Sequence, residues 1–271
     1  MKPAPFEYAT PTTLDEAVAL LGTPGARVIA GGQSLLQDLR WRRTSASLLV
    51  DIARIEELRG VHDDGDRVRI GARVRHVDLE RGAVGGPLGR LLAATARWIA
   101  HPPVRSRGTM VGSLCVAHPS SEWCGLAAGL DATVELVSVR RRREVTVADF
   151  LRDSFTPAAG PDELATALLV PVLPEGTRVG VVESRRTHAS YAHVAAVAAL
   201  LPDGGSRLGL AGAAPTGVRA HAAEAALARG DDPGAAAAQL DADPREHPHA
   251  PIPYTRHVAG VLVRRALQEA S

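Results

Sequence analysis

The chain has 271 residues, 45% of them hydrophobic, with 31 Lys plus Arg against 30 Asp plus Glu and two cysteines. A chain of this length buries roughly three quarters of its unfolded surface and usually divides into about two domains, so its core needs no disulfide or metal staples. A net charge of +1 argues against nucleic acid as the main partner, and no run of about 18 apolar residues marks a transmembrane helix.

The start, MKPAPFEYATPTTLDEA, carries one lysine and no apolar targeting segment, which reads as a soluble, cytoplasmic protein. Thr13 and Glu16 form a capping box ahead of Leu14, Ala17, Val18, Leu20 and Leu21, which recur at helical spacing until Gly22. A strand over 27–30, a break at Gly31-Gly32, a helix start over 34–39 and a strand over 48–52 then give an α/β alternation. Two strands flank the turn at 63–66, and Leu91, Leu92, Ala96 and Ile99 mark one face of a helix over 88–100. His101-Pro102-Pro103 is expected to end that helix, and 104–122 to run as a loop. Residues 132–139 and 144–147 read as a hairpin whose tip, Arg140 to Arg143, is a solvated charge cluster. After Pro171 and Pro174 come three strands, 178–183, 192–201 and 207–212, then Ala-rich helices over 219–229, 233–240 and 254–270. The domain boundary is placed near 175.

Two loops carry possible chemistry. Ala30-Gly31-Gly32-Gln33-Ser34 sets paired glycines between a strand and a helix start, where successive amides can converge on a phosphate; an ordinary tight turn accounts for the same residues. It is not G-x-G-x-x-G, so no Rossmann site is implied. The second loop runs from Arg105 to Ser113 and on through His118, Pro119, Ser120 and Ser121 to Glu122. Its amides, hydroxyls and cations suit a diphosphate, and Glu122 can accept from ribose hydroxyls; a Gly-rich surface loop capping a helix is the alternative. Two such loops in one chain favour a dinucleotide. Cys115 and Cys124 are too few to hold an iron–sulfur cluster and read as small buried apolar residues, while His247 and His249 read as loop rather than metal ligands.

Four segments carry a resemblance: AGGQSL at 30–35, VRSRGTMVGSL at 104–114, AGAAPTGVRAHAAEAAL at 211–227 and YTRHVAGVLVRRAL at 254–267. In order, over essentially the whole chain, it resembles the FAD-binding medium subunits of molybdenum hydroxylases, the family of the carbon monoxide dehydrogenase and xanthine dehydrogenase flavin subunits. The resemblance implies an α+β fold. A vanillyl-alcohol-oxidase-type (PCMH-type) FAD-binding domain is expected over 1–175, with two α/β subdomains of about 1–58 and 59–175, and a C-terminal domain over 176–271 with a three-stranded antiparallel sheet and helices. It also implies that segments 30–34 and 109–113 hold the FAD diphosphate. The implied cofactor-binding residues are Ala30, Gly31, Gly32, Gln33, Ser34, Leu35, Arg107, Gly108, Thr109, Val111, Gly112, Ser113, Glu122 and Tyr191, the last near the flavin ring. The implied partners are an iron–sulfur small subunit and a molybdenum-cofactor large subunit, with NAD, a quinone or oxygen as electron acceptor. No residue of this chain is expected to act as acid or base, since the isoalloxazine carries the chemistry.

The chain departs from the family's pattern at several positions. Val111 stands where a glycine is usual, Pro103 where Gln is, Ser106 where Asn is common, and His118 and Ser190 where Asp is frequent. A β-branched Val111 is expected to obstruct the close approach of backbone to phosphate. The alternative reading is a standalone FAD-dependent oxidoreductase acting on a small molecule, or a divergent scaffold that has lost FAD.

Overall fold

The computed structural model describes residues 2–187, 190–246 and 250–271. The short strand β1 (Glu7–Ala9) leads into helix α1 (Leu14–Leu21), whose capping box forms as expected. Thr13 Oγ1 accepts from the Glu16 amide at 3.2 Å, and the Glu16 carboxylate accepts from the Thr13 amide at 3.3 Å. Strand β2 (Ala26–Ile29), helix α2 (Leu35–Arg40) and strand β3 (Leu48–Asp51) follow, and β3 lies between β1 and β2 in a parallel three-stranded sheet.

The next stretch builds a second, antiparallel sheet with helices packed on it. Strands β4 (Val61–Asp63) and β5 (Arg67–Gly71) form a hairpin and precede helices α3 (His76–Glu80), α4 (Gly86–Trp98), α5 (Pro102–Arg105), α6 (Met110–Val116) and α7 (Glu122–Gly129). Two expectations fail here. Pro102 and Pro103 open α5, because a first-turn proline forfeits no intrahelical hydrogen bond. Helix α4 ends at Trp98, with Ile99 already extended, Ala100 left-handed at φ 42°, and His101 extended as expected before a proline. Residues 104–122 are not one loop, since α6 occupies 110–116 and its N-terminus is capped by Thr109, whose hydroxyl accepts from the Gly112 amide at 3.2 Å.

Strands β6 (Thr133–Val137) and β7 (Arg142–Thr146) make the expected hairpin; helix α8 (Val147–Phe150) and the small ribbon β8 (Leu151–Asp153) with β9 (Thr156–Pro157) lead to β10 (Leu164–Pro171). Sequence reasoning missed β10, yet it is central: the sheet order is β4-β5-β10-β6-β7. Its run LATALLVP is buried from Leu164 to Val170, so it lacks the polar alternation that betrays a half-exposed strand. The charged tip is fully paired. Arg140 meets Asp162 at 2.7 Å, Arg141 and Arg143 meet Glu163 at 3.1 and 2.7 Å, and Arg142 meets Glu135 at 3.6 Å.

A third sheet follows: β11 (Arg178–Ser184), β12 (Val194–Leu200), β13 (Ser206–Ala211) and β14 (Val218–Arg219), antiparallel in that order. It has four strands where three were expected, because the fourth has two residues and shows no periodicity in sequence. Helices α9 (His221–Arg229), α10 (Pro233–Ala237) and α11 (Ile252–Glu269) complete the chain. Val194, Ala196, Ala198 and Leu210 of this sheet share one core with Val258, Leu262 and Ala266 of α11. Helix α7 also packs on this sheet, so closely that a Cβ on Gly209 would stand 2.2 Å from the Gly125 carbonyl oxygen. Among the described residues no helix is long and apolar enough to cross a membrane.

Candidate functional site

The turn between β2 and α2 presents a row of uncommitted donors. The amides of Gly31, Gly32, Gln33, Ser34 and Leu35 donate to no described residue, and all of these residues are half-buried. Consecutive backbone amides left without a protein acceptor in one tight turn can form an anion cradle. Gly32 makes the turn possible with φ 71°, a conformation a β-branched residue resists. Ser34 precedes α2 but its hydroxyl makes no capping bond. The Gln33 side-chain amide folds back to the Gly31 carbonyl at 3.3 Å, and Ala30, half-buried, packs on the main core.

The second loop lies against the first. A Cβ on Gly31 would come within 2.1 Å of the Arg107 carbonyl oxygen, so the two backbones touch. A bridge between Arg75 and Thr109 fixes this loop, with the His76 amide donating to the Gly108 carbonyl at 3.0 Å and the Met110 amide to that of Val74 at 3.2 Å. The Thr109 and Val111 amides, like those of the first loop, donate to no described residue. Beneath Gly108 sits His76, buried, its Nδ1 accepting from Trp123 Nε1 at 3.0 Å. Burial, helped by the Arg105 charge, pushes the His76 imidazole down to about 4, so it supports the loop as a neutral ring. No motif singled out His76 in the sequence, because its importance comes only from its place under Gly108.

The two arginines of this loop separate in role. Arg105 is tied to Glu80 at 2.8 Å and to the carbonyls of Ile99 and Ala100. Arg107 is exposed and makes no ion pair or side-chain hydrogen bond with a described residue, leaving its charge for an anion. Val111 corrects an expectation. Its side chain is 2% exposed and belongs to the main core, so it points away from the amides instead of obstructing them. Ser113 Oγ lies 3.0 Å from Ser121 Oγ, which joins α6 to the start of α7.

Glu122 opens α7 and is 7% exposed. Its carboxyl group faces that of Glu183 on β11, a residue sequence reasoning did not include. Arg185 Nε lies 2.9 Å from Glu183 Oε1, yet neither Glu183 oxygen has a hydrogen-bond donor among the described residues while both carboxyls are ionised. A proton on either carboxyl would let it donate to the other and satisfy one of these oxygens. Burial and then the Glu183 charge push Glu122 up to about 8, and burial pushes Glu183 up to about 7 against the attraction of Arg185. The pair therefore retains a shared proton near neutrality.

Tyr191 lies in the connection between β11 and β12. Its ring stacks on His118 with centroids 3.8 Å apart and planes within 7°, yet the residue is 54% exposed. Burial, then the charges of Glu122, Cys124 and Asp38, raise its phenol. His188 and Ala189 of the same motif, and His247 and His249, lie outside the described residues. Cys115 and Cys124 are free thiols that burial pushes up to about 12.

Comparison with known proteins bears on what this arrangement holds. Residues 4–173 match the family described as the FAD binding domain in molybdopterin dehydrogenase. The chain is 32% identical to the 6-hydroxypseudooxynicotine dehydrogenase complex subunit alpha of Paenarthrobacter nicotinovorans, over 100% of this chain and 96% of that one. It is also 32% identical to the carbon monoxide dehydrogenase medium chain of Hydrogenophaga pseudoflava, over 100% and 98%. The solved carbon monoxide dehydrogenase of the latter organism, in a form lacking the Mo-pyranopterin moiety, matches this fold with a TM-score of 0.90 over 100% of this chain and 98% of that one. With an α+β fold shared over its full length and the family's own domain over 4–173, this chain belongs to the FAD-binding subunits of the molybdopterin dehydrogenase family.

Proposed function

We propose that this chain is the flavin subunit of a molybdenum hydroxylase-type dehydrogenase, receiving electrons from iron–sulfur clusters on a small subunit whose large partner carries the molybdenum cofactor. The observation that carries this reading is the row of unpaired amides from Gly31 to Leu35, in backbone contact with the loop that carries the undonated amides of Thr109 and Val111. Such a cradle matches a diphosphate in charge and in donor number. Arg107 adds a free cation at its edge, and the Ser34, Thr109 and Ser113 hydroxyls add adaptable donors. Glu122 is assigned to the ribose side and Tyr191 to the flavin ring, where a half-exposed aromatic face favours stacking.

Bound FAD supplies the electron-transfer chemistry; the chain supplies position, a dry wall and charge. In this reading residues 1–175 form the PCMH-type domain, with subdomains meeting where Gly31 touches Arg107, and 176–271 form the C-terminal domain that α7 clamps to it. NAD, a quinone or oxygen takes the electrons. Purified protein is expected to carry, or take up, one FAD per chain, read as flavin absorbance and by titration of stripped protein. Protein that stays colourless and unchanged on titration overturns the proposal.

A further inference from the structure

The Tyr191–His118 stack carries one more step, which rests on the assignment of Tyr191 to the flavin ring. We infer that His118 is a positioning residue: it holds the Tyr191 ring by one face so that the opposite face is presented to the isoalloxazine.

Tyr191 lies in the connection between β11 and β12, is 54% exposed, and its hydroxyl makes no hydrogen bond with a described residue, so no polar contact fixes its ring torsions. Near it, Ser190 Oγ accepts from the Thr187 amide at 3.2 Å and donates to the Thr187 carbonyl at 3.0 Å. These bonds order the backbone and leave the ring alone. The parallel imidazole at 3.8 Å is the ring's one stacked partner among the described residues.

His118 is itself held on several sides. Its Nδ1 accepts from the Ser120 amide at 3.1 Å, which fixes the proton on Nε2. Phe155 meets its ring edge-on, with centroids 5.1 Å apart and planes at 87°. Its carbonyl accepts from the Ser121 amide at 2.9 Å, and the preceding Ala117, with φ 50°, accepts from the Phe155 amide at 2.8 Å. Order therefore passes from the α6–α7 turn through an aromatic stack to Tyr191. Burial, with Arg245 adding to it, pushes His118 down to about 4, so the stacked ring is neutral at physiological pH and the stack is indifferent to pH there.

The test uses the full-length FAD-loaded protein and reads flavin fluorescence and visible circular dichroism, since a tyrosine stacked on a flavin quenches its emission. Tyr191→Leu is expected to raise emission severalfold. His118→Asn keeps an acceptor for the Ser120 amide and removes the ring; emission is expected to rise roughly twofold or more, with a changed dichroic band. His118→Phe restores a stacking ring and is expected to return both signals to parental values. Unchanged signals in His118→Asn beside a clear change in Tyr191→Leu overturn the role of His118. Unchanged signals in Tyr191→Leu, with FAD still bound, overturn the placement of Tyr191 itself. Far-UV dichroism checks folding, and His118→Leu replaces the asparagine variant if that one does not fold.

Discussion

The α-carbon of Gly31 rests against the Arg107 carbonyl, where even a methyl group would sit 2.1 Å from the oxygen. The two amide-bearing loops are thus one unit held at backbone contact. Gly31→Ala is expected to force them apart. Backbone cannot yield as a flexible side chain can, so the apo protein should lose about 2 kcal/mol or more, and FAD affinity should fall at least tenfold. Thermal unfolding and FAD titration measure the two; a variant with parental values in both would show that the loops need not touch.

Gly32 differs because its constraint is conformational. With φ 71°, a side chain there is strained by roughly 1–2 kcal/mol. The nearest atom to a new Cβ is Leu36 Cδ1 at 2.9 Å, which can swing aside. Gly32→Val is therefore expected to fold with reduced stability and to lose FAD more severely, because a branched side chain crowds the amides. Equal flavin affinity in variant and parent would place the diphosphate elsewhere.

Val111 reverses an expectation. Sequence comparison alone makes Val111→Gly a repair of the phosphate loop, but the side chain is buried in the main core and its amide is already free. The variant is expected to lose roughly 2–4 kcal/mol from cavity formation and helix propensity, without tighter FAD binding once its lower stability is allowed for. Tighter binding by a stably folded variant would put the valine back in the ligand's path.

The parts of the site written in contiguous residues were readable in the sequence. Gly31-Gly32 between a strand and a helix, the Thr13 capping box and the hairpin around Arg140 to Arg143 depend on neighbours in the chain, and all three form. What was hidden depends on distant pairing. Glu183 becomes special only because β11 brings it to Glu122, and His76 only because a bridge from Arg75 to Thr109 lays Gly108 over it. Strand β10 was hidden for another reason: burial on both faces erased its alternation. His118 was visible as a departure from the family pattern, but its stacking partner was not.

The Glu122–Glu183 pair gives the stability a pH dependence whose sign can be worked out. Both carboxyls are raised in the folded chain, to about 8 and about 7, from an ordinary value of 4.5. Between those limits the folded state binds a proton that the unfolded state has lost, so stability falls as pH rises. The groups facing the pair do not cancel this: the Tyr191 phenol and the Cys124 thiol are both raised and ionise above this range. Below about pH 6.5 a second effect opposes the first. His76 and His118 are pushed down to about 4 in the folded chain, so the unfolded state gains protons there. The histidine effect fades above about pH 7, so the carboxyl pair dominates from about pH 7 to 8, with a slope of at most about 1.4 kcal/mol per pH unit for each proton. Apo protein should therefore unfold at progressively lower temperature across that window. Glu183→Gln removes one titrating carboxyl and the like charge but leaves the burial that is the larger cause of the Glu122 shift, so its slope over the same range should be clearly shallower without vanishing. An unaltered slope in that variant would assign the titration to another group and leave Glu122 free to ionise in the empty site.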